Sequence, residues 1–276
     1  MTLLATKFNP VAEFTDFISH PYVKLPLGLD INKAVVYLWI SAALTIILTL
    51  VLTRGLTLRP GGRQTAAETL YDLAYMQIAK AGLPEEGMST WFPYVASLFV
   101  FIWVMNLVGF IPLPFGDTKV HVFGLAIPEL GIYAATANLS VTLTLTLVTI
   151  VASHVEGIRY NGPIRYFKSW VPSGTPKALL VLLIPVEVIS QFARVVSLSV
   201  RLFANLLAGH LVIAVFLALA GILTSTAFIY APIQVGGLAM GIAIYALEVT
   251  LIAGLQAFIF ATLSAIYIGG AIHPDH

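Results

Sequence analysis

Apolar runs long enough to cross a bilayer recur along this chain, and the short stretches between them carry most of its charge. The first run, at 34–53, reads "AVVYLWISAALTIILTLVLT"; it is uncharged and has the roughly 20 residues a membrane helix needs. The stretch "RGLTLRPGGR" ends it with three arginines and a Pro-Gly-Gly turn. At 64–82 the pattern becomes amphipathic, with Ala67, Leu70, Tyr71, Ala74 and Ile78 on one face and Glu68, Asp72 and Lys80 off it. That predicts a helix lying in the membrane surface. Further spans are predicted at 92–114 and 133–154. The formal sequon Asn138-Leu139-Ser140 falls inside the second of these and is no glycosylation site.

A hydrophobic stretch then runs over 178–223, with no proline after Pro185 and no glycine before Gly209. A helix of about 40 residues is about 60 Å long, against a hydrocarbon core of about 30 Å. A two-span hairpin would need a turn that the sequence does not offer, so one strongly tilted helix is predicted. A second long helix follows at 235–270. The prediction is an all-α integral membrane protein: five membrane helices and one amphipathic surface helix, the last two membrane helices long and strongly tilted. They form a single membrane domain at 34–276 behind an N-terminal segment, 1–33.

Composition agrees with this. The 276 residues are 59% hydrophobic and 10% charged, where soluble domains carry about 25% charged residues. The absence of cysteine excludes disulfides and thiolate metal chemistry. A net charge of +1 without a basic cluster gives no reason to expect nucleic acid. No signal peptide is read in "MTLLATKFNPVAEF", so the first span is expected to serve as its own insertion signal. Loops 54–90 and 155–177 hold four Lys/Arg each, against three in the N-terminal segment, one in 115–132 and none in 224–234. The positive-inside rule puts the N-terminus outside and the C-terminus in the cytoplasm.

Against this background Arg201 is an anomaly. A charge at the bilayer centre costs about 3 to 15 kcal/mol. On a helical wheel Glu187, Ser190, Arg194, Ser197 and Asn205 all fall within about 40° of it. Glu187 and Arg194, seven apart, can neutralise each other within a bundle, but no acid lies within two turns of Arg201 on this helix. Its counter-charge must come from another helix or another chain. Arginine stays protonated at any accessible pH, so it cannot carry protons. It can hold a nearby carboxylate ionised, or separate two proton-accessible spaces. His210, nine positions on, points to the opposite face about 13 Å further along. Glu248 is the only acid between Glu187 and Asp275. Histidine and a buried glutamate can both titrate near neutral pH, so the two suit either a proton relay or a hydrogen-bonded lock between helices.

These residues resemble the a subunit of F-type (rotary) ATP synthases. "RLFANLLAGH", from Arg201 to His210, carries the likeness, with "LQAFIFATLSAIYI" from Leu255 and "TANLSVTLTL" as supporting motifs. The resemblance implies that Arg201 faces a rotating ring of c subunits and separates two aqueous half-channels. In family terms Asn205, His210, Glu248, Gln256, Asn138 and Ser140 line the outer path, and Glu187, Ser190, Arg194 and Ser197 the cytoplasmic one. It implies no cofactor and no ATP chemistry on this chain. Its implied partners are the c-ring, peripheral-stalk b-type subunits and, indirectly, the catalytic head, in a bacterial inner membrane. The acid and the histidine are exchanged relative to many bacterial members, as in mitochondrial-type members, which preserves the relay chemistry. Glu248 lies eight residues before Gln256, where the family spacing is seven. The extra residue turns Glu248 by about 100° unless a π-bulge absorbs it.

The rival classes have less in the sequence. Neither H-E-x-x-H nor G-x-S-x-G is present, the terminal "HPDH" suits a frayed tail, and "RPGGR" lacks the Gly-Lys-Ser/Thr of a phosphate loop. A stand-alone proton-coupled transporter or ion channel remains the alternative, but no internal repeat supports it. Gly237-x-x-x-Gly241 suits a packing subunit, a role that leaves Arg201 unexplained.

Overall fold

In the computed structural model, residues 32–111, 119–122, 125–128, 133–170, 176–223 and 231–274 are described. The first apolar run is helix α1, Lys33–Thr53. Helix α2 starts at Gly62–Asp72, continues through a π-helical segment Leu73–Ala79 and ends at Lys80–Gly82. Its inward face is Ala74, Ile78 and Ala79, all buried, while Tyr71 is exposed. The π segment accounts for this: it advances the buried stripe by one residue, so Ala79 joins Ile78 and the i, i+4 spacing breaks.

Helix α3, Glu85–Gly109, begins with two acids in its first turn and holds Pro93 inside. It starts seven residues before the expected 92. The sequence pattern missed the amphipathic turn that precedes the apolar run, where Glu85 and Glu86 favour a helix N-terminus. The loop after α3 contains an antiparallel hairpin that hydropathy did not suggest, β1 (Lys119–Val122) paired with β2 (Leu125–Pro128). A 3-10 turn, Ala135–Ala137, leads into α4, Leu139–Asn161. A short helix α5, Pro163–Lys168, follows, entered through Gly162 at φ 76°.

The expected long helices are both present. Helix α6, Lys177–Leu223, runs 47 residues without interruption, Pro185 included. Helix α7 runs Ala231–Leu247, then a π-helical segment Glu248–Ile252, then Ala253–Ile272. Five of these helices (α1, α3, α4, α6 and α7) are long and apolar enough to span a membrane. The fold is that of an all-α integral membrane protein.

The helices divide into two compact units, each with contributions from several spans. One unit comprises residues 1–41, 104–138 and 203–255. Its core holds Tyr37, Met105, Phe110, Tyr133, Leu206 and Ala253, with the Tyr37 and Tyr133 rings edge to face at 5.3 Å. The other comprises 42–103, 139–202 and 256–276. In it, Ile78, Val95, Phe99, Leu202, Phe260 and Ile268 are buried. Here α2 crosses α7 where Gly82 meets Gly269; a β-carbon on either would strike the other helix's backbone. Only glycine allows backbones to approach so closely.

Helix α4 shows how a polar stripe is tolerated in such a fold. Thr142, Thr146, Thr149 and Ser153 are buried, and each hydroxyl donates to a carbonyl of its own helix at 2.8–3.1 Å. No hydroxyl on this face then needs water. The opposite face presents Leu143, Leu147, Val151 and Val155 outward, as a lipid-facing helix requires.

Candidate functional site

Two polar constellations stand out, one in each unit. The first is built on α6 and α7. His210 is 7% exposed and Glu248 5%. The His210 Nδ1 lies 2.9 Å from the Leu206 carbonyl. A carbonyl only accepts, so Nδ1 carries the hydrogen, and in the neutral ring Nε2 holds a bare lone pair. Phe110 stacks on the imidazole at 5.0 Å and 26° and is itself held by Tyr245, whose hydroxyl donates to the Phe110 carbonyl at 2.8 Å.

Glu248 reaches α6 at Gly209, the residue before His210. A β-carbon at Gly209 would collide with the Glu248 carboxyl group, so the glycine makes the space that the acid occupies. His210 Nε2 and Glu248 Oε2 are both buried, and neither meets hydrogen-bond geometry with a described residue, although the Gly109 carbonyl lies near the imidazole. Buried polar atoms are almost always paired. An imidazole nitrogen and a carboxyl oxygen left uncommitted can each take up a proton.

The π segment resolves the eight-residue spacing between Glu248 and Gln256. The Ala253 N–H bonds back five residues to the Glu248 carbonyl, so one residue is absorbed without carrying Glu248 to the outer face. Glu248 and Gln256 are both buried, at 5% and 4% exposure. Sequence reading passed over Asn106, which is fully buried in α3. Its Nδ2 donates to the Ala253 carbonyl at 3.0 Å, and its Oδ1 accepts from Thr136 Oγ1 at 2.9 Å. The signal was present: an asparagine in the middle of "FIWVMNLVGF". Of the other residues expected on the outer path, Asn205 and Asn138 are half-buried, and Ser140 is exposed in the first turn of α4.

The second constellation surrounds a cavity of about 420 Å³ lined by α4, α5, α6 and α7. Glu187 and Arg194 both face it but make different contacts. The Glu187 carboxylate accepts from Gln191 Nε2 at 2.8 Å, and the Arg194 guanidinium lies over the Tyr267 ring at 5.7 Å, a cation–π contact. The simple neutralisation of one by the other, open from the sequence, is not what the side chains do. His154 and Tyr166 share the cavity wall, with the phenol 2.6 Å from the imidazole Nδ1. Burial pushes the Tyr166 phenol up from its ordinary value, so its hydroxyl keeps its proton. Sequence reading missed Gln191, His154, Tyr166 and Tyr267, because nothing in their spacing joins four helices. Ser190 is half-buried and Ser197 exposed, and neither is among the residues that line the cavity.

Arg201 belongs to neither constellation. It is exposed, and it makes no ion pair or hydrogen bond among the described residues. Around it Ser197, Val200, Ala204 and Ala208 are exposed too, so the described residues leave that face of α6 uncovered. Among the described residues no group of His, Asp and Glu could hold a metal ion.

Comparison with known proteins gives a consistent answer. The family described as "ATP synthase A chain" matches residues 35–269. The chain is similar to the ATP synthase subunit a of Rhodopseudomonas palustris, 41% identical over 242 residues, covering 86% of this chain and 87% of the relative. It is similar to that of Rubrobacter xylanophilus at 37% over 254 residues, covering 90% and 87%. With that of Methylobacterium sp. it shares 32% identity over 282 residues, covering 99% and 100%.

Proposed function

The chain belongs to the ATP synthase A chain family, and from that premise we propose that it is the stator subunit through which protons enter and leave the rotor of a rotary ATP synthase. Arg201 is the fixed charge facing the c-ring carboxylates, and two aqueous half-channels end on either side of it. The outer path runs through Asn205, His210, Glu248, Gln256, Asn138 and Ser140. The cytoplasmic path runs by Glu187, Ser190, Arg194 and Ser197. Peripheral-stalk subunits hold the chain in place, and ATP chemistry resides elsewhere in the complex. The chain sits in a bacterial inner membrane with its N-terminus outside and its C-terminus in the cytoplasm.

One observation carries this reading: Arg201 stands exposed, without a counter-charge among the described residues, on an apolar helix face that they leave bare. A guanidinium cannot discharge itself, and its cost in lipid is removed only by an acid brought from outside. A ring carboxylate passing Arg201 is stabilised in its ionised form and releases its proton. It regains one only after moving beyond the arginine. The fixed charge therefore turns two dead-ended water paths into a rotary circuit, because protons cross only aboard the ring. The length of α6 supports the geometry: 47 residues extend about 70 Å, and a helix of that length must lie steeply tilted to remain along the ring wall within the bilayer.

The test is Arg201→Ala in the assembled complex. ATP-driven proton pumping into inverted membrane vesicles is expected to fall to background while the complex still assembles. Normal pumping by the variant overturns the reading.

A further inference from the structure

Asn106 has no part in the paths proposed above, yet it makes two side-chain hydrogen bonds in a fully buried position. Its contact on α7 is a particular one. Ala253 is the residue at which the π segment gives way to α-helix: its N–H makes the long bond to the Glu248 carbonyl, and its own carbonyl is the group that Asn106 holds. A π-helical turn is a strained insertion that persists where neighbours stabilise it. Relaxing it to α-helix would shift Ala253 against Asn106, breaking that bond in surroundings without water to replace it. Thr136, in the 3-10 turn before α4, fixes which way the amide points by donating to its oxygen.

We propose that Asn106 is a positioning residue for Glu248: through Ala253 it pins the π segment, and the pinned segment keeps the acid packed against Gly209 beside His210. The inference rests on Glu248 being part of the proton path. Asparagine suits the task because one planar amide donates to α7 while accepting from Thr136. Leucine can do neither, and an ionised aspartate can only accept.

The chain has no cysteine, so Glu248→Cys gives this subunit a single thiol, whose labelling is followed on the subunit itself after it is separated from membranes holding the complete ATP synthase. A charged methanethiosulfonate added from the outer side is expected to label it. Adding Asn106→Leu is expected to slow labelling roughly tenfold, as position 248 turns away from the aqueous path. In the chain with Glu248 intact, Asn106→Leu is expected to cut proton flux by a similar factor, and Thr136→Val by less. Where Asn106→Leu fails to assemble, Asn106→Asp keeps the shape and removes the donor. Its flux is expected to recover on acidification, when the new carboxyl can donate again. Equal labelling rates with and without the Asn106 change overturn the positioning role, even if flux falls. No labelling in the chain that keeps Asn106 overturns instead the aqueous path at Glu248.

Discussion

Gly209 and Glu248 show how much of the site rests on a single missing methyl group. The carboxyl group lies where a side chain at 209 would be, against the residue that precedes His210. Gly209→Ala must therefore either displace Glu248 or shift α6, a form of overpacking that costs about 1–3 kcal/mol. The expected outcome is an assembled complex whose proton flux is reduced roughly tenfold, with Arg201 still blocking passive leak. Flux assayed in vesicles with the catalytic head removed checks this, and undiminished flux would show that the acid has room elsewhere. In the sequence, Gly209 stood out only as the first glycine after a long run. Its purpose depends on a residue 39 positions further along the chain, a distance that no helical periodicity spans.

At the scale of elements, the two π segments mark where pattern reading stops. Helices α1, α4, α6 and α7 were legible because burial in lipid writes itself as an unbroken apolar run, and a helix is the backbone's simplest answer to a solvent without hydrogen bonds. A π turn leaves no such trace, since it is stabilised by tertiary contacts such as that of Asn106 with Ala253. The eight residues from Glu248 to Gln256 gave an arithmetic hint, and the segment Glu248–Ile252 is its physical meaning. Removing one residue there should restore α-helical register. Deletion of Thr250, which is exposed, is expected to leave a plain α-helical turn with seven residues from the acid to Gln256, so Glu248 keeps its face and flux is retained. Insertion of one alanine after Thr250 is expected instead to turn Glu248 by about 100° relative to Gln256, and flux should fall as far as in Glu248→Ala, with assembly retained. Flux at the unmodified level in the insertion variant would mean that the register of Glu248 is not set by the π segment.

For the whole molecule, charge asymmetry between loops makes a statement that helix packing does not. Loops rich in Lys and Arg follow α1 and α4, and the N-terminal segment and the loop between α6 and α7 are poorer in them. Single cysteines in this cysteine-free chain test the orientation directly. Lys24→Cys is expected to react with an impermeant thiol reagent added outside, and Lys168→Cys only with one added from the cytoplasmic side. The reverse pattern would invert the assignment of the two half-channels. At this scale composition alone made the class of protein plain, and the Arg201–His210 motif its family. The cavity shared by His154, Tyr166, Glu187 and Arg194 was hidden, because it depends on how α4, α5, α6 and α7 converge.

The two uncommitted atoms at Glu248 and His210 also bear on which ion can travel there. An alkali or alkaline-earth cation trades its water for several oxygen ligands. Among the described residues, one Glu248 carboxyl oxygen and one His210 ring nitrogen are left without a hydrogen-bond partner, the carboxyl group lying where a side chain on Gly209 would be. Either atom alone falls short of the several oxygen ligands a metal cation takes, whereas either can bind a proton. On the outer path proposed above, this point therefore suits a proton rather than a metal cation.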